Sequence, residues 1–179
     1  MQGFEKLTTQ RLWLIPATVR SMEAELKSPQ RLASFLKVHL PKAWPPPLND
    51  EHSQRWMLDY LRKHAGSRWG MWYIALPAPR PQLIGGCGFK GEPVGGAVEI
   101  GYSIAPEFHR KGYATEAVGG LLQFAFVDPR VRRVLAETFP ELIASIGVLR
   151  KSGFVRVKGA SEPGAIRFSI TRIRWLHSV

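Results

Sequence analysis

Apolar residues recur at every second position along the middle of the chain. Three runs after Gly70 alternate in this way, separated by turns rich in proline or glycine: Met71–Leu76, Gln82–Phe89 and Ala97–Ile104. A period of two is typical of β-strands, and short turns between consecutive strands favour antiparallel hairpins. The sequence therefore predicts three consecutive antiparallel strands, which any fold of this chain must accommodate.

Helical spacing of apolar residues dominates on both sides of these strands. Before them, Thr18, Ser28 and Asp50 each precede such a pattern, as expected of helix N-caps. After them, the helical pattern returns beyond Pro106, and Pro140 can open a further helix. We therefore expect three helices before the strands and two after them.

Shorter extended segments complete the pattern. We expect an opening strand over residues 11–16, a later strand over Arg133–Thr138, and closing strands over residues 154–158 and 166–174. Residues 40–50 contain too many prolines for a helix or a central strand, so they predict a surface loop. The order of elements indicates an α+β or mixed α/β fold.

Length and composition suit one compact unit. The chain has 179 residues, of which 45% are hydrophobic and 22% are charged, so we expect a single domain over residues 1–179. No apolar run reaches the roughly 18 residues that cross a bilayer, and residues 1–11 do not resemble a secretory leader. The single cysteine, Cys87, excludes an intrachain disulfide framework and a multi-cysteine metal site. We expect a cytoplasmic protein without a metal.

The net charge of +11 predicts an anionic partner without naming it. Nucleic acid, a phosphorylated cofactor, an acidic peptide and a ribosomal surface all fit, and so does solubility alone. Much of the excess lies after residue 130, which makes the last third of the chain a local positive field.

A glycine-containing loop joins the third predicted strand to the next helix. Arg110, Lys111 and Gly112 lie at the predicted start of that helix. Free N–H groups and the helix dipole favour phosphate at such a position, and glycine permits close approach. A helix start can carry these residues for capping reasons alone, and the spacing matches neither a Walker loop nor a dinucleotide fingerprint.

Residues 99–118, EIGYSIAPEFHRKGYATEAV, resemble the acetyl-CoA-binding strand, loop and helix of the GNAT superfamily of N-acetyltransferases. Residues 136–154 are similar to that family's late strand, its following helix and its Gly-Phe ending, and TQRL at residues 9–12 resembles its first strand. Within the superfamily, the chain most resembles the branch that acetylates the N-termini of ribosomal proteins.

The resemblance implies a twisted mixed sheet of about seven strands flanked by helices. It also implies that the strand ending at Ile104 separates from Arg133–Thr138, so that the pantetheine arm of acetyl-CoA enters the gap and bonds the backbone of Ser103 and Ile104. The diphosphate would then meet the loop and the helix start. The residues implied there are His109, Arg110, Lys111, Gly112, Tyr113, Ala114 and Thr115.

The implied reaction is direct attack of a primary amine on the thioester in a ternary complex. It needs a proton acceptor, stabilisation of the oxyanion and a hydrogen bond or proton for the thiolate. Glu99 resembles the acid of the ribosomal-protein branch and is the first candidate acceptor, with Glu92 as a weaker alternative. The N–H near Ile104 would serve the oxyanion, and Ser145 the sulfur. Glu99 could instead be a solvated or Arg-paired strand residue, and Ser145 a helix hydroxyl bonding its own backbone.

The chain departs from the family pattern at three positions. Many members have a tyrosine where this chain has Leu149, and the branch usually has an asparagine where this chain has Leu142. The first position of the phosphate loop is His109, and because an unperturbed imidazole changes its charge near neutral pH, cofactor binding is expected to depend on pH. The two leucines put affinity and activity in doubt.

Three classes of function therefore compete. The first is an acetyl-CoA-dependent N-acetyltransferase acting on a protein N-terminus, such as that of a ribosomal protein, or on a small amine. The second is a non-catalytic acyl-CoA-binding sensor, which Leu142 and Leu149 favour. The third, a nucleic-acid-binding protein, rests on charge alone, and we do not expect it. A monomer and a homodimer are both compatible with the sequence.

Overall fold

The computed structural model describes residues 6–47 and 49–177, so the expected domain over residues 1–179 extends outside the described residues at both ends. Within them, eight strands form one sheet in the order β1-β2-β3-β4-β5-β6-β8-β7. The strands are β1 Leu7–Thr8, β2 Trp13–Pro16, β3 Met71–Leu76, β4 Gln82–Phe89, β5 Ala97–Ile104, β6 Arg133–Thr138, β7 Val155–Val157 and β8 Ile166–Thr171.

Six α-helices accompany the sheet in the described part of the chain, and none of them is long and apolar enough to cross a membrane. The helices are α1 Val19–Lys27, α2 Pro29–Leu36, α3 Glu51–Lys63, α4 Tyr113–Val127, α5 Ile143–Lys151 and α6 Arg172–Leu176. A short 3-10 turn, Pro106–Phe108, lies between β5 and α4.

Side-chain caps start the first three helices where the sequence predicts them. Thr18 accepts a hydrogen bond from the backbone of Ser21, and the Ser21 hydroxyl accepts one from the backbone of Thr18, which makes a capping box. Ser28 caps α2 ahead of Pro29, and Asp50 caps α3. Local hydrogen bonding therefore fixes three of the boundaries.

The sheet is mixed because one neighbouring pair of strands is parallel. Neighbouring strands from β1 to β5 are antiparallel, and β3 to β5 form a meander. Strands β5 and β6 run parallel, and β8 pairs antiparallel with both β6 and β7. The predicted meander of β3, β4 and β5 is confirmed, as is the expected mixed sheet flanked by helices. The eighth strand is the short β1, which the sequence pattern did not indicate.

A gap opens between β5 and β6 halfway along the sheet. Their pairing ends at Ile100 and Ala136. Beyond this point β5 stays on β4 as far as Ile104, and β6 stays on β8 as far as Thr138. The two strands therefore separate at their carboxyl ends, as the family resemblance implies.

Hydrophobic residues pack on both faces of the sheet. One core includes Leu121 of α4, Leu149 of α5 and the sheet residue Ile100. The other includes Met22 of α1, Leu32 of α2 and residues of α3. Helices α4 and α5 thus cover one face, and α1 to α3 cover the opposite face.

Three predicted boundaries were wrong. Residues 9–12 form a turn, in which Thr9 N donates to Leu12 O, so the strand expected from residue 11 begins at Trp13. The helix expected from Pro140 begins at Ile143, because a turn precedes it. The strand expected to reach residue 174 ends at Thr171, whose side chain accepts from Arg174 N and caps α6.

Candidate active site

The open edge of β5 presents backbone groups to the gap. Ala105 N donates to Ile84 O and Lys90 N donates to Glu99 O, which sets the alternation of the antiparallel ladder. By that alternation the backbone groups of Ser103 bond β4, whereas those of Tyr102 and Ile104 face β6. Of the two residues whose backbone is expected to bond the cofactor arm, Ile104 therefore faces the gap, whereas the backbone of Ser103 bonds β4.

Side chains of β5 divide between the two faces of the sheet. Ile100 and Ile104 belong to the core beneath α4, and Tyr102 packs against that core. Glu99 and Ser103 alternate with them and therefore point to the face of α1 to α3. The Ser103 hydroxyl donates to the carbonyl of Pro47, which places the proline-rich loop beside the gap on that face.

The loop before α4 leaves donors free at the helix start. The N–H groups of Tyr113, Ala114 and Thr115 have no acceptor within the helix, and the N-cap residue, Gly112, brings no side chain to cap them. Gly112 has φ +80° and Arg110 has φ +61°, so the loop turns sharply through two left-handed residues. This arrangement suits an anionic group, which the helix dipole also favours.

His109 does not lie free beside this helix start. Its Nε2 atom lies 2.7 Å from the carbonyl oxygen of Ile104, to which it donates a hydrogen bond. The imidazole therefore ties the loop to the end of β5. Arg110 and Lys111 are exposed, and Lys111 Nζ donates to the carbonyl of Glu107 at 3.3 Å.

A clamp from the N-terminal segment holds the first turn of α4. Glu116 accepts hydrogen bonds from the Thr9 hydroxyl at 2.6 Å and from both the backbone and the guanidinium of Arg11. Arg11 also donates to the carbonyl of Lys111 at 3.1 Å. Burial opposes ionisation of Glu116, but these hydrogen bonds outweigh it and lower its pKa. The turn that contains TQRL, between β1 and β2, thus holds the loop before α4.

Glu99 lies before the gap rather than inside it. Its carboxylate forms an ion pair with Lys90, and its side chain is 18% exposed. Its neighbour on β6 is Leu135, so the two strands are still paired here. Five residues separate Glu99 from Ile104, about 16 Å along an extended strand. Glu99 can therefore exchange a proton with a group near Ile104 only through intervening water.

Glu92, the second candidate acid, contacts residues away from the gap. Glu92 accepts a hydrogen bond from the Ser67 hydroxyl at 2.9 Å and lies 3.4 Å from Arg130. It lies in the turn that precedes β5, at the end of the strand opposite Ile104. This position does not bring Glu92 to the gap.

Ser145 lies at the gap on the α4 face. Its Oγ atom is 3.0 Å from the Tyr102 hydroxyl, which also lies 3.1 Å from the Ser145 carbonyl. Burial raises the pKa of Tyr102 to about 12, so the phenol stays protonated. The sequence analysis missed Tyr102, although the GY pair inside residues 99–118 places it on β5.

The two leucines that depart from the family pattern lie on or beside α5. Leu149 is fully buried in the core, and Leu142 is a partly exposed N-cap.

Glu137 is a third acid that the sequence analysis did not select. It lies on β6 just beyond Ala136, at the border of the gap. Its carboxylate accepts hydrogen bonds from Ser161 and from the guanidinium of Arg167. Burial opposes its ionisation, but these partners lower its pKa. Only the register of β5 and β6 identifies it, because the sequence does not show where their pairing ends.

The described residues contain no group of three or more histidine, cysteine or acidic side chains that could hold a metal ion. Cys87 lies buried on β4, and burial raises the pKa of its thiol, which disfavours a nucleophilic thiolate. The thiol is thus a core side chain, as expected.

Comparison with known proteins agrees with this geometry. A family model for the acetyltransferase (GNAT) domain matches residues 11–155. The N-acetyltransferase YjdG of Bacillus subtilis (strain 168) is 27% identical over 152 residues, which cover 83% of this chain and 89% of that protein.

Solved structures share the fold at low sequence identity. An acetyltransferase from Agrobacterium tumefaciens str. C58 has a TM-score of 0.67 at 20% identity and covers 96% of this chain and 97% of that one. RimL, a ribosomal L7/L12 alpha-N-protein acetyltransferase solved in complex with coenzyme A, has a TM-score of 0.65 at 18% identity and covers 93% of this chain and 98% of that one. Because the family model spans most of the chain, this protein belongs to the GNAT family of N-acetyltransferases.

Proposed function

We propose that this protein moves the acetyl group of acetyl-CoA to a primary amine by direct attack in a ternary complex, within one domain over residues 1–179. The observation that carries the proposal is the separation of β5 from β6 beyond Ile100 and Ala136. An unpaired strand edge offers donors and acceptors to an amide-containing arm. The gap and the free first turn of α4 together match a long molecule with amides at one end and a diphosphate at the other.

The residues that line the gap fit the pantetheine arm. Backbone groups of Tyr102 and Ile104 face it, and a Cβ atom added at Gly101 would meet nothing within 4 Å. The first turn of α4, together with Arg110 and Lys111, would hold the diphosphate. The bound cofactor supplies an acetyl group activated as a thioester. The proposed cofactor contacts are therefore the backbone of Tyr102 and Ile104, the side chain of Ser103, and residues 109–115.

Three groups of this chain would serve the reaction. The Ile104 N–H faces the gap and can donate to an oxyanion there. The Ser145 hydroxyl can donate a hydrogen bond to sulfur from the α4 face. Glu99, on the opposite face, is retained as the acceptor of the amine proton through water, because it is a largely buried carboxylate on the acceptor side.

The acceptor amine would approach from the face of α1 to α3. Ser103 and the proline-rich loop border the gap there, and Trp44 in that loop donates through Nε1 to Glu25 at 2.9 Å. Trp44 thus anchors the loop to Glu25 of α1. RimL acetylates the α-amino group of ribosomal protein L7/L12, as its name states. Peptides with a free α-amino group are therefore the first class of acceptor to test.

Calorimetric titration with acetyl-CoA, followed by a thiol-release assay over peptides with free α-amino groups and small primary amines, tests the proposal. We expect micromolar binding and thiol release that requires an amine. Arg110→Ala combined with Lys111→Ala should raise the Kd about tenfold, whereas Lys63→Ala, an exposed cation at the end of α3, should not. Absence of acetyl-CoA binding would overturn the proposal.

The sensor remains the second candidate, because Leu149 occupies the place of the family phenol and is fully buried. A sensor would bind acetyl-CoA equally well but release no thiol with any amine of the panel. Glu99→Gln and Ser145→Ala then test the assigned roles. If both variants release thiol at the wild-type rate, the two residues have no part in turnover.

A further inference from the structure

Gly101 is an exposed glycine in a central strand of the sheet. It is the first residue of β5 beyond the fork, where the pairing of β5 with β6 ends at Ile100 and Ala136. A glycine inside a strand lowers stability, and it often marks a bulge, a tight bend or the close approach of another group. The pairing of β5 with β4 shows no register shift at Gly101, and its φ lies outside the left-handed region. The backbone therefore does not require a glycine here.

Packing within the protein does not require a glycine at this position either. At Gly85 and Gly88 of β4, an added Cβ atom would collide with a backbone carbonyl. At Gly101 an added Cβ atom would meet no atom of the described chain within 4 Å. Its partner on β4 is Gly88, so that residue brings no side chain beside it. The space over Gly101 is therefore open to another molecule.

This space lies on the face of the sheet from which the acceptor would approach. The two residues that flank Gly101 along β5 pack in or against the core beneath α4. Because side chains alternate along a strand, position 101 points with Glu99 and Ser103 to the face of α1 to α3. That direction is perpendicular to the plane of the sheet, in which the pantetheine arm would lie. Glu99 bounds the space at one end, and Ser103, which donates to the Pro47 carbonyl, bounds it at the other.

Resting on the proposed acetyl transfer, we propose that Gly101 is a specificity-determining residue that receives the amine-bearing end of the acceptor. The amine and the carbon that carries it lie over Gly101, between Glu99 and Ser103. Glu99 is two residues away, about 7 Å along the strand, so water can join its carboxylate to the amine. A side chain at position 101 would occupy the place of the acceptor.

The direction of the cofactor arm brings the thioester toward the same place. The diphosphate would lie at the start of α4, beyond the carboxyl end of β5, so the sulfur end of the arm points back along the gap toward the fork. An amine beside the fork can therefore reach the acetyl carbon. The amine nitrogen bonds that carbon as the C–S bond breaks, the electron pair leaves with sulfur, and water passes the amine proton to Glu99.

Added volume at position 101 tests this assignment. Gly101→Ala and Gly101→Val should lower kcat/KM for a peptide with a free α-amino group about tenfold and about a hundredfold, through a higher KM for the peptide. Neither the Kd for coenzyme A nor the midpoint of thermal unfolding should become less favourable in Gly101→Ala, because the added methyl group contacts nothing in the described chain. Gly119→Ala adds a methyl group at an exposed glycine of α4, also with nothing within 4 Å, and should leave kcat/KM unchanged.

A bisubstrate compound gives a second readout, which needs no turnover. In this compound an acetyl linker joins the sulfur of coenzyme A to the α-amine of a short peptide. The wild type should bind it at least about tenfold more tightly than coenzyme A, and Gly101→Ala should remove that gain.

Three results would overturn this inference alone. They are an equal gain in the wild type and Gly101→Ala, a weaker affinity of Gly101→Ala for coenzyme A, and a loss of turnover in Gly101→Val that is absent or confined to kcat. If the wild type binds no coenzyme A, or releases thiol with no amine, the proposed function fails as well.

Discussion

Arg11 and Glu116 join the N-terminal segment to the first turn of α4 through two hydrogen bonds. The backbone N–H of Arg11 donates to Oε1 at 2.6 Å, and its Nε donates to Oε2 at 2.7 Å. Glu116 lies one turn beyond Gly112, the N-cap of the helix whose free amides form the candidate diphosphate site. The clamp therefore fixes the helix start at which the anion would bind.

Glu116→Gln should weaken both folding and binding. The charged hydrogen bonds are lost, so the free energy of unfolding should fall by about 1–2 kcal/mol at pH 7 and the Kd for coenzyme A should rise several-fold. The pKa of Glu116 is lowered from 4.5 in the folded chain, so this stabilisation is present above about pH 4.5 and is lost as the pH falls through the folded pKa. Urea unfolding between pH 3 and 7 measures it. The exposed Glu51, paired with Arg55, is the control, and Glu51→Gln should change stability by less than about 0.5 kcal/mol.

Glu25 should show the opposite dependence on pH. It is 5% exposed, and burial raises its pKa from 4.5, although hydrogen bonds from Tyr73 and Trp44 oppose the change. Its contribution to stability is therefore full below about pH 4.5 and decreases as the pH rises through the folded pKa. The wild type should lose stability relative to Glu25→Gln as the pH rises from 4 to 8. A difference independent of pH would contradict this account, and Glu23→Gln, an exposed partner of Arg62, serves as control.

Gly85→Ala should disturb the end of β5. An added Cβ would lie 2.3 Å from the Ser103 carbonyl oxygen and 3.0 Å from the Ile104 Cα, both backbone atoms, so β5 must move. We expect a loss of about 1–3 kcal/mol in stability and at least a tenfold weaker affinity for coenzyme A. Thermal unfolding and calorimetry measure the two effects. Gly119→Ala, where nothing lies within 4 Å, should instead stabilise α4 by up to about 1 kcal/mol.

Arg172 should be needed for the carboxyl end of α4. Its guanidinium donates to the carbonyls of Phe126, Asp128 and Val131. A lysine cannot reproduce this fork, so Arg172→Lys should lower the free energy of unfolding by about 2 kcal/mol, measured by urea titration. Arg132→Lys, which removes a guanidinium that bonds the Gly95 carbonyl, should cost less than half as much. Equal decreases in the free energy of unfolding for the two variants would contradict a specific stabilising role for the contact of Arg172 with three carbonyls.

The parts of the fold that depend on local patterns could be predicted from the sequence. Alternation over Ala97–Ile104 identified β5, and the capping residues Thr18 and Ser28 identified the first two helices. The closing strand was predicted too long, because the sequence pattern does not show that the Thr171 side chain accepts a hydrogen bond from Arg174 N and caps α6. A local pattern does not show which of two hydrogen-bonding choices the tertiary structure stabilises.

Most pairings within the site could not be predicted, because they join residues far apart in the sequence. The contact of Tyr102 with Ser145 spans 43 residues, and that of Thr9 with Glu116 spans 107. Likewise, the candidacy of Glu137 depends on where the pairing of β5 with β6 ends, which only the register shows. The family resemblance indicated the cofactor loop but not these partners.

The amide hydrogen exchange of Tyr102, Ser103 and Ile104, followed by NMR with and without coenzyme A, tests the central claim most directly. Ser103 bonds β4, so its amide should exchange slowly in both states. The amides of Tyr102 and Ile104 face the gap, so they should exchange faster in the free protein and slow at least tenfold when coenzyme A is bound. Slow exchange of these two amides in the free protein, or rates unchanged at saturating coenzyme A, would contradict the account.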